Sequence, residues 1–142
     1  MARDHRDLIV WQLSRELRIL VLQLTRRRPA SFDKDFVRDI RKSARSTVAN
    51  TAEGHARFRP KDNHRFLLIA RASLKETEEH FAEGLENDYF SKEEHATAHR
   101  LIKRITSAMA RLMRYLRSSA AEENVRKIEG RNRPANERRR TR

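Results

Sequence analysis

The sequence predicts an all-α protein, an antiparallel up-down-up-down four-helix bundle over residues 1–118 followed by a disordered basic tail over 119–142. Three observations carry that prediction. The 142 residues include only three Gly and three Pro, while Leu, Ala, Arg and Glu abound, and this composition favours helix over strand. Apolar residues recur at three- and four-residue spacing in four successive segments, and none of them alternates as a strand would. The connections near 28–33, 55–61 and 87–90 are short, so consecutive helices should be antiparallel neighbours.

The first predicted helix, about 7–27, sets Val10, Leu13, Leu17, Leu20, Val21 and Leu24 on one face. It ends in Arg26, Arg27 and Arg28 before Pro29; cations complement the negative end of a helix dipole, and proline suits the exit. The second, about 34–54, carries Val37, Ile40, Ala44, Thr47, Val48 and Thr51, with small residues dense from Ser43 to Ala52, so a neighbouring helix can approach closely. The third, about 62–86, follows Pro60, can be capped by Asp62, and turns Phe66, Leu67, Ala70, Leu74, Thr77, Phe81 and Leu85 inward. Ser91-Lys92-Glu93-Glu94 is a capping box, in which the serine oxygen and the glutamate side chain satisfy opposite orphan amides. It opens a fourth helix to about Ser118, with Ala98, Leu101, Ile102, Ile105, Met109, Leu112 and Leu116 inward. Beyond Ser118 only Val125 and Ile128 are large and apolar, too little to offset the entropy of ordering, so the tail is expected to be disordered.

A chain of this length reads as one domain with a sizeable core. Zero cysteines exclude disulfide scaffolds, thiolate metal sites and cysteine nucleophiles, and they fit a reducing compartment. No stretch reaches the roughly 18 apolar residues of a membrane span, and the apolar run after Asp7 is broken by Arg15, unlike a secretory signal. A cytoplasmic protein without membrane contact is expected. The net charge is +13, and residues 119–142, with eight Lys/Arg and four Glu, account for +4 of it, which leaves +9 on the bundle. Clustered cations that neutralise phosphates are the usual reason for so basic a domain.

Those cations form stripes. Arg38, Arg41, Lys42 and Arg45 stand at i, i+3, i+4 and i+7 on one face of the second helix. On the fourth, Arg100, Lys103, Arg104, Arg111 and Arg114 run opposite the apolar positions with no acid between them, and the tail adds Arg138, Arg139 and Arg140. Two stripes on a basic bundle point to phosphate contacts with RNA or DNA rather than to sequence reading, since Trp11, Tyr89 and Tyr115 are the only Trp and Tyr and make no stacking platform. Acidic residues crowd the end of the third helix and the next turn, from Glu76 through Glu94, where they could meet a neighbouring subunit's basic patch. Leu8, Ile9, Trp11, Ile19 and Leu22 add apolar surface outside the core stripe of the first helix, which implies a partner and so an oligomer interface. Asn50, Glu53, Ser73 and Glu76 adjoin the apolar stripes of the second and third helices and read as an internal hydrogen-bond network that fixes register.

No catalytic residue, metal or cofactor is expected. Glu53 and Glu76 lack a companion acid–base residue. No Glu-x-x-His motif occurs, and His95 and His99, although spaced i, i+4, have no third ligand in pattern. Glycines at only 54, 84 and 130 cannot form a phosphate-cradling loop.

The run Ile40-Arg41-Lys42-Ser43-Ala44-Arg45-Ser46-Thr47-Val48-Ala49-Asn50-Thr51-Ala52-Glu53-Gly54 resembles the signature of the four-helix-bundle proteins first found encoded in 23S rRNA intervening sequences. Asp7-Leu8-Ile9-Val10-Trp11-Gln12 is similar to that family's start, and Arg65-Phe66-Leu67-Leu68-Ile69-Ala70-Arg71-Ala72-Ser73-Leu74-Lys75-Glu76 to its third-helix motif, in the same order over about residues 7–117. Ala72 stands where the family has glycine, implying a less intimate helix contact there. The resemblance implies a bundle that closes into a ring-shaped homo-oligomer, a pentamer, without catalytic activity. It also implies an association with RNA or a ribosomal component, or with a reverse transcriptase, as in retroelement accessory relatives. The expectation is therefore a non-enzymatic, ring-forming protein that holds nucleic-acid phosphates on basic helix faces; the alternative is an oligomeric scaffold for a protein partner.

Overall fold

A computed structural model describes residues 4–132. The fold is all-α, with five α-helices among the described residues and no strand: α1 Ile9–Thr25, α2 Lys34–Ala56, α3 Pro60–Glu86, α4 Lys92–Leu116 and α5 Ser119–Asn132. Short 3-10 turns, His5–Asp7 and Ala30–Phe32, precede α1 and α2. Among the described residues no helix is long and apolar enough to cross a membrane.

The chain's own caps set the helix starts. Asp33 accepts the Phe36 amide at 3.1 Å and opens α2 at the expected residue. The capping box forms as predicted: Ser91 Oγ accepts the Glu94 amide at 3.1 Å, and the Ser91 amide donates to Glu94 Oε1 at 2.9 Å. α3 differs from expectation, starting at Pro60 instead of being capped by Asp62. Proline at the first helical position presets φ and lacks only an amide that would be orphaned there, so Asp62 falls inside the first turn, 3.8 Å from Arg65. α3 ends in a Schellman motif, the Tyr89 amide reaching Gly84 O at 2.8 Å and the Asp88 amide Leu85 O at 3.1 Å. Asp88 holds φ 59° at the position where glycine is customary.

α1 packs on α2 and α4, and α3 packs on the same two helices. Leu17, Val21, Ile40, Leu74, Phe81, Ile102, Ile105 and Met109 are completely buried between them. Leu20, Val37, Val48, Phe66, Leu85 and Leu112, expected inward, are half-buried. The α2–α3 pairing is the most extensive and the least oily. Ser43 meets Thr77, with 2.9 Å between hydroxyl oxygens, and Ser46 meets Ser73 at 2.7 Å. Gly54 lies against Asn63 and Phe66, and Phe36 against Gly84, so partners on α3 are met in descending order as α2 ascends. A Cβ at Gly84 would run into the Phe90 ring.

The expectation of a disordered tail fails for residues 119–132, which form α5. Ala121 is buried and Val125 half-buried, and with Ile128 they make a single stripe at i, i+4, i+7 that lies over the α2–α3 corner. Asn124 donates to Tyr115 Oη at 2.8 Å, Glu129 lies 3.6 Å from Arg59, and Glu123 pairs with Lys127 at 3.1 Å. Ala121 and Val125 settle on that surface, while Ile128 stays 43% exposed at its edge.

The opposite end is held by charge. The Arg27 guanidinium is bidentate on Glu94, at 2.7 and 2.9 Å, tying the exit of α1 to the start of α4. Tyr89 donates to Asp33 Oδ2 at 2.7 Å, joining the α3–α4 turn to the α2 cap over the rings of Phe36, Phe81 and Phe90. Arg27 holds the Glu94 carboxyl below its usual range, and the Tyr89 hydroxyl followed by the Phe36 amide does the same to Asp33. A carboxylate depressed in the folded state adds stability that is fully present above its unfolded value and is lost as pH falls through the folded one. Stability should therefore decline as pH drops from about 5, and in acid titrations followed by circular dichroism Asp33→Asn should be less stable at neutral pH yet lose less on acidification. Parallel curves for variant and wild type would contradict this linkage.

Candidate nucleic-acid interface

Each basic stripe stands outward because its helix is fixed from the other side. With Ile40, Ser43, Ala44 and Thr47 buried, α2 turns Arg38, Lys42 and Arg45 to solvent and leaves Arg41 half-buried. With Leu101, Ile102, Ile105, Ala108 and Met109 buried, α4 exposes Arg100, Lys103, Arg104, Arg111 and Arg114. Arg100 touches Thr97 Oγ1 at 3.3 Å, and among the described residues none of these five α4 cations has a carboxylate within ion-pair distance.

The two stripes do not form one surface. α2 and α4 each pack on α1 and α3, so the core separates them and the cations face opposite sides. Nor are the α2 cations equivalent. Arg38 is engaged by Asp35 at 3.1 Å and Asp39 at 3.2 Å, and the Asp39 hydrogen bond raises its pKa further. Arg41 donates through Nε to Thr25 Oγ1 at 2.9 Å, and Thr25, buried in α1, donates in turn to Val21 O at 2.7 Å. Together with Arg18, Leu22, Lys42 and Arg45, these two arginines line a recess of about 330 Å³ between α1 and α2. Arg18 joins this group only through the fold, because it sits on another helix from the α2 stripe. A larger recess, about 600 Å³, lies beneath α5, where Arg59, Lys61, Arg117 and Arg126 are accompanied by Glu122 and Glu129. Arg138, Arg139 and Arg140 lie outside the described residues.

The five apolar residues assigned to an interface divide. Ile9 and Ile19 are 60% and 38% exposed, whereas Leu8, Trp11 and Leu22 are half-buried. Trp11 meets the His5 ring edge-on at 5.2 Å with the Arg15 guanidinium 5.9 Å from its centroid, and Leu22 belongs to the basic recess. On α3, Leu68 and Ile69 are 39% and 45% exposed, a patch that the periodicity of the third helix did not single out.

Of the four residues assigned to the polar network, two meet. Asn50 Nδ2 donates to Ser46 O at 2.9 Å and to Ser46 Oγ at 3.0 Å, and Ser46 Oγ reaches Ser73. Glu53 is exposed and pairs with Arg57 at 2.7 Å, and Glu76 is exposed on α3. Ser43, Ser46 and Thr77 occupy the seam instead. Thr77 was expected inward and Ser43 and Ser46 in the run of small residues that admits a neighbouring helix, but their hydroxyl pairing was not legible, because a hydroxyl can also satisfy itself on its own helix, as Thr77 does on Ser73 O at 2.9 Å. The acidic cluster is partly spoken for within the chain, by Arg27 at Glu94, Lys75 at Glu78 and His80 at Glu83. His95 and His99 lie with parallel rings 6.3 Å apart, and among the described residues no group of three or more His, Asp or Glu could hold a metal.

A family model described as 23S rRNA-intervening sequence protein matches residues 6–111, from the turn before α1 to Arg111 within α4. No curated protein matches the chain.

The seam makes a stability contrast measurable. Ser73→Ala removes the hydroxyl that Ser46 Oγ meets across the seam and should cost about 1–3 kcal/mol in denaturant unfolding, whereas Glu76→Ala should stay within about 0.5 kcal/mol of wild type. Equal costs would place Glu76 back in the network.

Proposed function

Because the chain belongs to the 23S rRNA-intervening sequence protein family, we propose that it is a non-enzymatic, RNA-associated protein that grips phosphates on basic helix faces and assembles into a ring of identical subunits. The framework we infer is the antiparallel four-helix bundle of α1–α4 with α5 as an added corner helix, which the descending order of α2–α3 partners and the Arg27–Glu94 tie support. The observation that carries the reading is the α4 face, where five cations without carboxylate partners line one solvent-exposed row among the described residues. A row of uncompensated charge released from counterions is what sequence-independent phosphate binding uses. RNA is preferred to DNA on the family's name alone.

Assembly is supported by the two unlike apolar patches, Ile9 with Ile19 on α1 and Leu68 with Ile69 on α3. They lie on helices that share no face, and unlike patches on opposite sides suit head-to-tail contact, which closes into rings. A pentamer is the subunit number we favour, and the cytoplasm the compartment.

Two measurements test this. In a salt series with structured RNA, single-stranded RNA and duplex DNA, Arg104→Glu with Arg111→Glu should flatten the log–log slope by about 0.7–0.9 per lost phosphate contact and leave the oligomer's mass unchanged. Wild-type affinity in that variant would remove α4 from the interface, and absence of binding at low salt would favour the scaffold for an acidic protein partner. Ile19→Glu with Ile69→Glu should yield monomers by light scattering, and an unchanged mass would refute the α1–α3 contact.

A further inference from the structure

The recess between α1 and α2 differs from the α4 face in kind. Around its roughly 330 Å³ stand Arg18, Arg41, Lys42 and Arg45, and among the described residues none of the four has a carboxylate partner, while Arg38 at the rim is occupied by Asp35 and Asp39. Four like charges converging on one hollow repel one another, and the nearer they are the less solvent and salt can screen them. The fold nevertheless fixes one of them. Arg41 is half-buried and tethered through Nε to Thr25 Oγ1, itself anchored on Val21 O, which leaves the terminal amino groups of its guanidinium uncommitted among the described residues. Leu22 supplies an apolar wall.

The geometry points to a site for a terminal polyphosphate, two or three phosphates in a row ending in a free one, as at the 5′ end of a primary RNA transcript. The assignment rests on the phosphate-binding reading above and narrows it. A mid-chain phosphodiester carries one negative charge and continues into sugar on both sides, which suits the open row on α4. A chain end concentrates several charges on adjacent groups and can enter a hollow end-on, where one ligand relieves the repulsion among all four cations at once. Bidentate guanidinium–phosphate bonds from a tethered arginine add direction to that attraction.

The test uses one single-stranded RNA labelled at its 3′ end and prepared with a 5′-hydroxyl, a 5′-monophosphate or a 5′-triphosphate, titrated with full-length protein at about 0.15 M ionic strength. The triphosphate form should bind at least about ten-fold more tightly than the hydroxyl form, and inorganic tripolyphosphate should erase that advantage. Arg18→Gln with Arg45→Gln should bring the ratio near one, and Thr25→Val, which frees Arg41, should reduce it. Arg104→Glu with Arg111→Glu should weaken all three RNAs and keep the ratio. Equal affinity for the three wild-type complexes overturns the terminal-phosphate site and leaves general phosphate binding standing. Binding of tripolyphosphate with none of the RNAs supports the recess as a site for free polyphosphate and overturns the nucleic-acid reading.

Discussion

Where α2 and α3 meet, the contacting side chains are Ser43, Ser46, Ser73 and Thr77, with Gly54 closing on Asn63. Such small groups bring two backbones close, and hydroxyls buried there must find partners or cost the desolvation they incurred. Both demands are met only in one register, since Ser43 reaches Thr77 in the same alignment in which Ser46 reaches Ser73. A leucine seam tolerates sliding and repacking far better. Once α2 is locked inward at Ser43 and Thr47, Lys42 and Arg45 must face out, so the direction of the basic row follows from hydroxyl chemistry on the other side of the helix.

Charge organises the rest on two scales. At the α1–α4 end, carboxylates are consumed pairwise, Glu94 by Arg27 and Asp33 by Tyr89, and each also caps a helix. Double use lets few groups hold several chain segments together. On the flanks acids are few: α2 keeps Asp35 and Asp39 at Arg38, no acid interrupts α4 from Arg100 to Arg114, and positive rows remain on both helices. With neighbouring helices about 8–10 Å apart, rows on two helices that share no face are separated by more than the roughly 8 Å over which salt lets charges feel each other. The two faces can therefore be charged without opposing one another across the core.

Much of this was legible in the sequence because it is periodic or local. Apolar spacing identified α1 to α4, the Ser91 capping box marked a start, and the run from Ile40 to Gly54 pointed to the family whose model matches residues 6–111. The failures have a common cause. α5, the choice of Ser46 over Glu53 and Glu76 in the seam, and the placement of Arg18 beside Arg45 all depend on which helix lies across from which, and that is a property of pairs of segments. Val125 looks insufficient in isolation and gains a surface, with Ala121, once the α2–α3 corner is in place, while Ile128 stays 43% exposed.

Two of the three α2 arginines that line the recess illustrate how the same residue type is given different work by its neighbours. Arg38 has two aspartates on its own helix, at i−3 and i+1, and its charge is spent locally. Arg41, one turn on, has none among the described residues; it bonds instead to a hydroxyl on the adjacent helix, which orients the guanidinium without neutralising it. An arginine positioned by a neutral partner keeps its full attraction for an anion and loses less rotamer freedom when the anion arrives. A fold that needed only to bury α1 against α2 would gain nothing from collecting Arg18, Lys42 and Arg45 around that fixed guanidinium, because their mutual repulsion opposes the packing. Arrangements that raise the energy of the free protein at one point, and that a specific ligand would relieve, are where recognition is to be sought.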